Sequence, residues 1–354
     1  MATEGTFILA DIGGYTSFLT GVGIEHGKEI TSHLLNSLLK CNRGRWKLAN
    51  IEGDCLFFYR QGREPPDELL AHVRVLYEDF CERVTDIAAR SSCPCGACSR
   101  TNDLSLKFIV HAGEFDTQKI GKRTELIGPD VVLAHRLLKN SVPLAEYALL
   151  THAYAGADAP QTLPNTESRE SYEEAGSVDG LVYNLAPVRA DYEKRRAFYV
   201  NESDARLAIV REIEAPPEVV WDAIIDIDKR REWQQSIKEI DLRQGERRQI
   251  GEVHRCVHGD GSNVIHLTIA IDEAGRRKSE RIWRSRLVKN VYVTWEARPV
   301  ESGTRVGFFM IWKPAIPGLS QAMSPVMLMM VRRSLEKDIG GLKAYCEERA
   351  AVGR

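Results

Sequence analysis

The N-terminal half of the chain is organised around the stretch Phe7-Ile8-Leu9-Ala10-Asp11-Ile12-Gly13-Gly14-Tyr15-Thr16. Its four leading apolar residues predict a short buried strand, and the glycine pair predicts a turn directly after it. Asp11 therefore lies at the carboxyl end of an apolar strand. Gly13, Gly14, Tyr15 and Thr16 lie at the turn into a predicted helix, and backbone amides at a helix N-terminus can hold a phosphate group.

A second aspartate lies in a predicted hairpin. The β-rich runs 46–51 and 55–59 flank the turn Glu52-Gly53-Asp54, and such a Gly-Asp pair is a strong hairpin signal. If the strands that carry Asp11 and Asp54 are neighbours in one sheet, both carboxylates point at the same place. Mg²⁺ binds carboxylate and phosphate oxygens, and two such ions can clamp a phosphoryl transfer. The alternative is that both aspartates serve only their turns.

Four segments resemble class III nucleotidyl cyclases. The opening stretch resembles the family's first metal-binding segment, and Ile51-Glu52-Gly53-Asp54 resembles the second. Two later segments of the family are similar to Ile109-Val110-His111-Ala112-Gly113-Glu114 and to residues 127–137. The whole resemblance covers about residues 6–187. The resemblance implies a ferredoxin-like domain whose active sites form between the protomers of a homodimer. It assigns Asp11 and Asp54, with Ile12 between them in sequence, to Mg²⁺, Mn²⁺ or Ca²⁺, and Arg136 to a catalytic contact with the phosphates.

Three positions depart from the family's pattern. Asn50 stands where adenylyl cyclases have a lysine that reads the base, and Val132 replaces an asparagine that orients the ribose. Glu125 takes the second base-reading position. Because a lost transition-state contact costs about 10²–10³-fold in rate, we expect a domain that binds ATP or a related purine nucleotide with weak or no cyclase activity. The expected nucleotide contacts are Gly13, Gly14, Tyr15, Thr16, Asn50, Gly53 and Glu125. The alternative is an active adenylyl or guanylyl cyclase regulated by the C-terminal domain.

Cys93, Cys95 and Cys98 place three thiols within six residues. Zn²⁺ takes four nitrogen or sulfur ligands, so this spacing is suited to one side of a structural zinc ion. The fourth ligand is not identified, and the candidates are Cys81 and His72. The alternative is a reduced surface loop that carries no metal.

The C-terminal part resembles START-like (SRPBCC) helix-grip domains. The similar residues are Ile213-Glu214-Ala215-Pro216-Pro217-Glu218-Val219-Val220-Trp221, followed by Asp228 and Trp233. The resemblance implies a curved sheet wrapped around a helix, with a cavity for an unidentified apolar small molecule. We find no convincing acid–base set in this half, so a binding domain that senses or regulates is expected. A further alternative is a lipid or polyketide carrier whose N-terminal half only dimerises.

Composition sets the remaining expectations. The 354 residues are 43% hydrophobic and 28% charged, with a net charge of −2, which is typical of a soluble globular protein and gives no reason to expect nucleic acid. No signal peptide and no membrane span is recognised, so the eight cysteines suggest a reducing cytoplasm. The predicted fold class is α+β, with a cyclase-like domain at 1–190, a linker at 191–205 and a helix-grip domain at 206–350. Residues 159–177 are expected to form a surface loop.

Overall fold

The computed structural model describes residues 2–15, 18, 24–90, 101–121, 123–156, 160, 162–173, 176–283, 288–314 and 319–352. The chain divides into two compact units, Met1–Glu193 and Lys194–Arg354. Each unit combines one sheet with helices, so the predicted α+β class is confirmed. Thr16 and the three clustered cysteines, Cys93, Cys95 and Cys98, lie outside the described residues.

The first unit is built on a sheet with helices on both faces. Its elements are β1 (Thr3–Gly13), α1 (Ile24–Asn42), β2 (Lys47–Glu52), β3 (Cys55–Gln61), α2 (Pro66–Arg90), β4 (Ser105–Ile120), β5 (Arg123–Ile127), α3 (Pro129–Arg136), β6 (Tyr147–Thr151), α4 (His152–Ala155), β7 (Asn165–Tyr172), β8 (Gly176–Asn184) and α5 (Ala186–Arg196). The strand order is β2-β3-β1-β4-β6-β8-β7, and β5 pairs with the far end of β4.

Alternation along β1 divides its side chains between two cores. Ile8, Ala10 and Ile12 belong to the larger core with residues of α1 and α2. Phe7 and Leu9 belong to the opposite core, with residues of β3, β4 and α3. Because successive side chains of a strand point to opposite faces, Asp11 lies on the face that α3 covers.

Two sequence expectations about this unit were wrong. The segment 159–177, expected to be a loop, contains β7, which pairs antiparallel with β8 from Asn165 to Tyr172. Its residues are mostly polar because the strand lies at the edge of the sheet, so it lacks the apolar alternation of a half-buried strand. Residues 191–196, assigned to the linker, are the second half of α5, which buries Val188 in the larger core.

The second unit is an antiparallel sheet with one long helix. Its elements are β9 (Leu207–Ile213), α6 (Pro217–Ile225), α7 (Ile227–Trp233), β10 (Ile237–Gln244), β11 (Val253–His258), β12 (Asn263–Asp272), β13 (Arg277–Trp283), β14 (Val288–Val300), β15 (Gly303–Pro314) and α8 (Leu319–Val352). The strand order is β10-β11-β12-β13-β14-β15-β9. Helices α6, α7 and α8 share a buried core with the inner face of this sheet, as the helix-grip prediction required.

Candidate functional site

Asp11 lies on β1, an interior strand of the first sheet, and the two adjacent strands each place a residue directly beside it. Its partner on β3 is Cys55, and its partner on β4 is Lys107. Asp54 directly precedes Cys55 in the hairpin turn, and its carbonyl oxygen accepts a hydrogen bond from the Ile12 amide at 3.2 Å. The structure thus brings Asp11, Ile12 and Asp54 together at one edge, as the hairpin prediction implied.

The two carboxyl groups influence each other. Partial burial, and then the negative charge of Asp11, raise the pKa of Asp54 to about 6. The Asp54 carboxylate is therefore held in a place where its charge is unfavourable. A bound cation would relieve both the burial cost and the repulsion. This electrostatic situation is common at functional sites.

Lys107 is a member of the site that the sequence analysis missed. Its Nζ lies 3.3 Å from Oδ2 of Asp11 and donates a hydrogen bond to the carbonyl oxygen of Leu138 at 3.0 Å. Both side chains of the ion pair are mostly buried. The signal was present in the alternation of β4, because Lys107 is a charged residue on the same face of the strand as Ile109 and His111.

The glycine turn after β1 has the predicted form. Gly14 has φ +80°, a conformation that glycine adopts without steric cost, and its carbonyl oxygen accepts from the Phe18 amide at 2.9 Å. Gly13 lies against Ser105 so closely that a Cβ would stand 2.3 Å from its Oγ. Tyr15 is half-buried against the larger core. Gly53 also has a positive φ, +65°, which suits its place in the hairpin turn.

Helix α3 is fixed to the sheet by its first and last turns. Near its start, Asp130 accepts a hydrogen bond from the Glu114 amide at 2.7 Å and lies 3.4 Å from His111 Nε2. His111 is buried and its Nδ1 lies 2.9 Å from Thr151 Oγ1, so both ring nitrogens lie beside polar groups of the first unit. At the other end His135 packs edge-on to Phe57, with 4.6 Å between ring centroids. Arg136 lies half-buried in that last turn.

The residues expected to read base and ribose lie on the surface of the chain. Asn50 is exposed, and its Oδ1 accepts from the amide of Ile51 at 2.9 Å. Glu125 is exposed on β5, opposite Gln118. Val132 is 53% exposed on α3. Because these side chains are exposed, any pocket for a base needs further walls.

A cavity of about 460 Å³ lies in the second unit. Its walls are mostly apolar and come from β12 to β15 and α8. The apolar lining residues are Val264, Ile282, Val291, Val293, Trp295, Phe308, Met310, Trp312, Leu328, Val331 and Leu335. The polar lining residues are Arg230, Gln234, His258, Asp260, His266, Glu280, Ser334 and Asp338. This volume and lining are typical of a small-molecule site.

A buried polar cluster forms the charged end of this cavity. Glu280 is fully buried and accepts from Arg230 Nη2 at 2.9 Å, and Lys278 Nζ lies 3.1 Å from it. Nδ1 of His266 lies 3.0 Å from Glu280 Oε2. The expectation that this half holds no acid–base set was therefore wrong. The members were missed because they are spread over α7, β11, β12 and β13, with no local pattern in the sequence.

Cys256 belongs to the same cluster. Burial alone would raise the pKa of its thiol, but the positive charge of His266 and hydrogen bonds from His254 and His266 lower that pKa to about 6. Burial likewise opposes charge on His266, whereas Cys256 and Glu280 raise its pKa to about 9. Each group therefore favours the charged form of the other.

The two residues considered as fourth ligands for a zinc ion at the clustered cysteines have other surroundings. Cys81 is buried in the larger core of the first unit, and burial raises its pKa to about 11. Nε2 of His72 lies 3.3 Å from Asn42 Oδ1, and its ring packs edge-on to Trp46. Neither residue is poised at the surface for a metal.

Comparison with protein families gives two matches. Residues 31–147 match the family "Protein of unknown function (DUF2652)", and residues 204–347 match "Polyketide cyclase / dehydrase and lipid transport". A curated relative, an uncharacterized protein of Mycobacterium tuberculosis, is 36% identical over 124 residues. That match covers 35% of this chain and 58% of the relative. The chain thus spans somewhat over half the length of that relative.

Solved structures resemble the two units separately. The adenylyl cyclase CyaB from P. aeruginosa is 16% identical over 52% of this chain and 94% of its own, with a TM-score of 0.41. The guanylyl cyclase Cya2 is 14% identical over 52% of this chain and 92% of its own, also with a TM-score of 0.41. The protein XoxI from Bacillus cereus is 19% identical over 40% of this chain and 94% of its own, with a TM-score of 0.34. Among the helices of the described residues, none has the length and apolar character needed to cross a bilayer.

Proposed function

We propose that the first unit binds a purine nucleoside triphosphate, such as ATP, through a divalent cation held by Asp11 and Asp54. The observation that carries this proposal is the raised pKa of Asp54 beside Asp11, at the edge where the glycine turn follows β1. Two close carboxylates are a suitable seat for Mg²⁺ or Mn²⁺, which in turn bridges to phosphate oxygens.

We further propose that cyclase turnover is absent or very slow. A two-metal mechanism places one cation on the attacking oxygen and another on the leaving oxygen. The Lys107 ammonium already lies at Asp11, so it competes for part of the space that the cations need. Asn50 and Val132 stand on the surface and supply neither the lysine nor the amide that the resemblance expects. Charge neutralisation is thus retained while positioning of the base and ribose is lost.

A homodimer would supply the missing walls of the site. Large apolar side chains are exposed on several elements of the first unit: Leu48 and Ile51 on β2, Ile120 and Ile127 on the β4–β5 hairpin, and Val132 on α3. Covering them with a second copy would remove apolar surface from water. The closed interface would also supply Arg136 of the second copy, which the resemblance to cyclases assigns to a contact with the phosphates. Light scattering with nucleotide present should give twice the chain mass, and a monomer at micromolar concentration would contradict the dimer.

For the second unit we propose binding of an apolar small molecule in the cavity, with the pair of units acting as a sensor or regulator. The support is the cavity itself, whose volume and apolar lining fit a compact ligand. The competing function is a cyclase controlled by that ligand. The test is an assay of purified protein with ATP or GTP and Mg²⁺ or Mn²⁺, followed for binding and for cyclic product together. Binding without product supports the proposal; steady product formation supports the cyclase.

A further inference from the structure

We propose that His254, Cys256 and His266 form a site for a transition-metal ion, with Zn²⁺ as the expected occupant, at the polar end of the cavity in the second unit. One donor atom from each of these three residues lies within 4.8 Å of the other two. The site is separate from the carboxylate pair of the first unit and from the clustered cysteines. It is therefore independent of the proposed nucleotide function.

Strand register explains why the three side chains converge. His254 and His266 are direct partners across the antiparallel strands β11 and β12. Cys256 follows His254 by two residues, so it projects from the same face of the sheet. All three side chains point into the unit: His254 and Cys256 are fully buried, and only 13% of the His266 side chain is exposed. Two imidazoles and one thiolate are a ligand set that suits zinc.

Carboxylates behind both histidines strengthen the assignment. Nδ1 of His266 lies 3.0 Å from Glu280 Oε2, which leaves Nε2 as the nitrogen for a metal. Nδ1 of His254 lies 3.2 Å from Glu252 Oε1 without the geometry of a hydrogen bond. Metal-binding histidines commonly have a carboxylate behind them, because it orients the ring and increases its basicity.

The charges around the ligands also fit a divalent cation. Glu252 and Glu280 are balanced by Lys278 and Arg230, which lie within ion-pair distance of them. The ligand set then contributes the single negative charge of the Cys256 thiolate. Coordination by three protein groups leaves one tetrahedral position open. Since His266 lines the cavity, an apolar molecule in the cavity that carries one oxygen donor would be a candidate for the fourth ligand.

Ligand geometry requires one local movement. The imidazole rings of His254 and His266 stack with 4.8 Å between centroids and 7° between planes. In-plane lone pairs of parallel rings do not converge on one ion, so one ring must turn about its Cβ–Cγ bond. That ring is His254, whose Nδ1 makes no hydrogen bond, because turning His266 would break its contact with Glu280.

Cobalt titration tests the site in the full chain. The background variant is Cys93→Ser/Cys95→Ser/Cys98→Ser, which removes the thiols of the other candidate zinc site. We expect the metal-free background protein to bind one Co²⁺ per chain, with a thiolate-to-cobalt charge-transfer absorption band. Adding Zn²⁺ should abolish the band by displacing cobalt. Absence of the band in the folded background protein would overturn the proposal.

Two variants in that background identify the ligands. Cys256→Ser should abolish the band, and His266→Gln should weaken Co²⁺ binding by about 100-fold or more, since loss of even an outer partner costs about 10–100-fold. The matched controls are Cys346→Ser, a buried cysteine on α8, and His258→Gln, which also lines the cavity. Both controls should keep the band. If Cys256→Ser does not fold, His266→Gln decides alone: unchanged cobalt affinity in that folded variant would overturn the proposal.

Discussion

The ammonium of Lys107 lies 3.3 Å from the carboxylate of Asp11, its direct partner across strands β1 and β4. This ion pair places a fixed positive charge where the resemblance to cyclases implies a metal ion. Lys107 therefore competes with cations that bind in the absence of nucleotide. If a triphosphate binds as we propose, we expect the same ammonium to contact a phosphate oxygen.

Replacing Lys107 should separate these two effects. We expect Lys107→Met to bind Mn²⁺ alone about 3–10-fold more tightly, because an opposing charge a few ångströms away is removed. The same variant should bind the metal–nucleotide complex more weakly. The control is Lys119→Met, which changes an exposed lysine at the far end of the same strand. Calorimetric titrations in which Lys107→Met and Lys119→Met behave alike would exclude a role for Lys107 in the site.

The raised pKa of Asp54 predicts that a neutral residue at this position stabilises the protein by an amount that depends on pH. Its pKa is raised to about 6 in the folded chain from an ordinary value of 3.8. The folded state therefore bears a penalty that appears as pH rises above 3.8 and is complete above about 6. Because the group is partly exposed, solvent screening reduces this penalty to about 1 kcal/mol. Asp54→Asn should stabilise the metal-free protein by that amount at pH 7.5 and leave it unchanged near pH 4.

Chemical denaturation at the two pH values measures this difference. Asp179→Asn, an exposed carboxylate on β8, is the control and should change stability by less than about 0.5 kcal/mol at either pH. Saturating Mg²⁺ should reverse the ranking, because the parent gains binding energy that Asp54→Asn lacks. If Asp54→Asn is destabilising at pH 7.5 without metal, Asp54 has a structural role and not a binding one.

Adjacent glycines in α8 give a matched test of the second unit. An added Cβ at Gly340 meets nothing within 4 Å, whereas at Gly341 it would stand 2.1 Å from the carbonyl oxygen of Trp233. Gly340→Ala should stabilise the unit by about 0.5–1 kcal/mol through helix propensity. Gly341→Ala should destabilise it by about 1–3 kcal/mol, since the helix must move away from α7. Thermal unfolding of both variants checks this, and equal effects would contradict the close approach of α7 and α8.

Filling the cavity should block its ligand with little cost in stability. Val264 lines the cavity, so Val264→Phe places a larger apolar side chain in open space. We expect binding of the fluorescent probe anilinonaphthalene sulfonate to weaken about tenfold. Val210→Phe, on the half-buried strand β9, is the control and should leave probe binding unchanged. Equal probe binding in Val264→Phe and the parent protein would mean that the probe, and the proposed ligand site, lie elsewhere.

Local patterns predicted the elements that carry Asp11 and Asp54, because a buried apolar strand and a Gly-Asp hairpin each have a signature within ten residues. The helix-grip sheet was predicted from the resemblance of residues 213–233 to START-like domains. The alternation of β4 marked Lys107 as a charged residue on an apolar face, but its partner Asp11 could not be read locally, since the pairing of β1 with β4 spans about a hundred residues. The cluster of His254, Cys256 and His266 was missed for the same reason. Strand β7 was missed because an edge strand needs no apolar face.

The central claim is that Asp11 and Asp54 bind nucleotide through a divalent cation. Isothermal titration of the full chain with ATP and with GTP, each with and without Mg²⁺, tests it most directly. We predict metal-dependent binding that weakens by about 1–3 kcal/mol, or about 5–150-fold, in Asp11→Asn and in Asp54→Asn, while Asp179→Asn keeps the parent affinity. Binding of unchanged affinity in both site variants, or no binding of either nucleotide by the parent protein with Mg²⁺ present, would contradict the account.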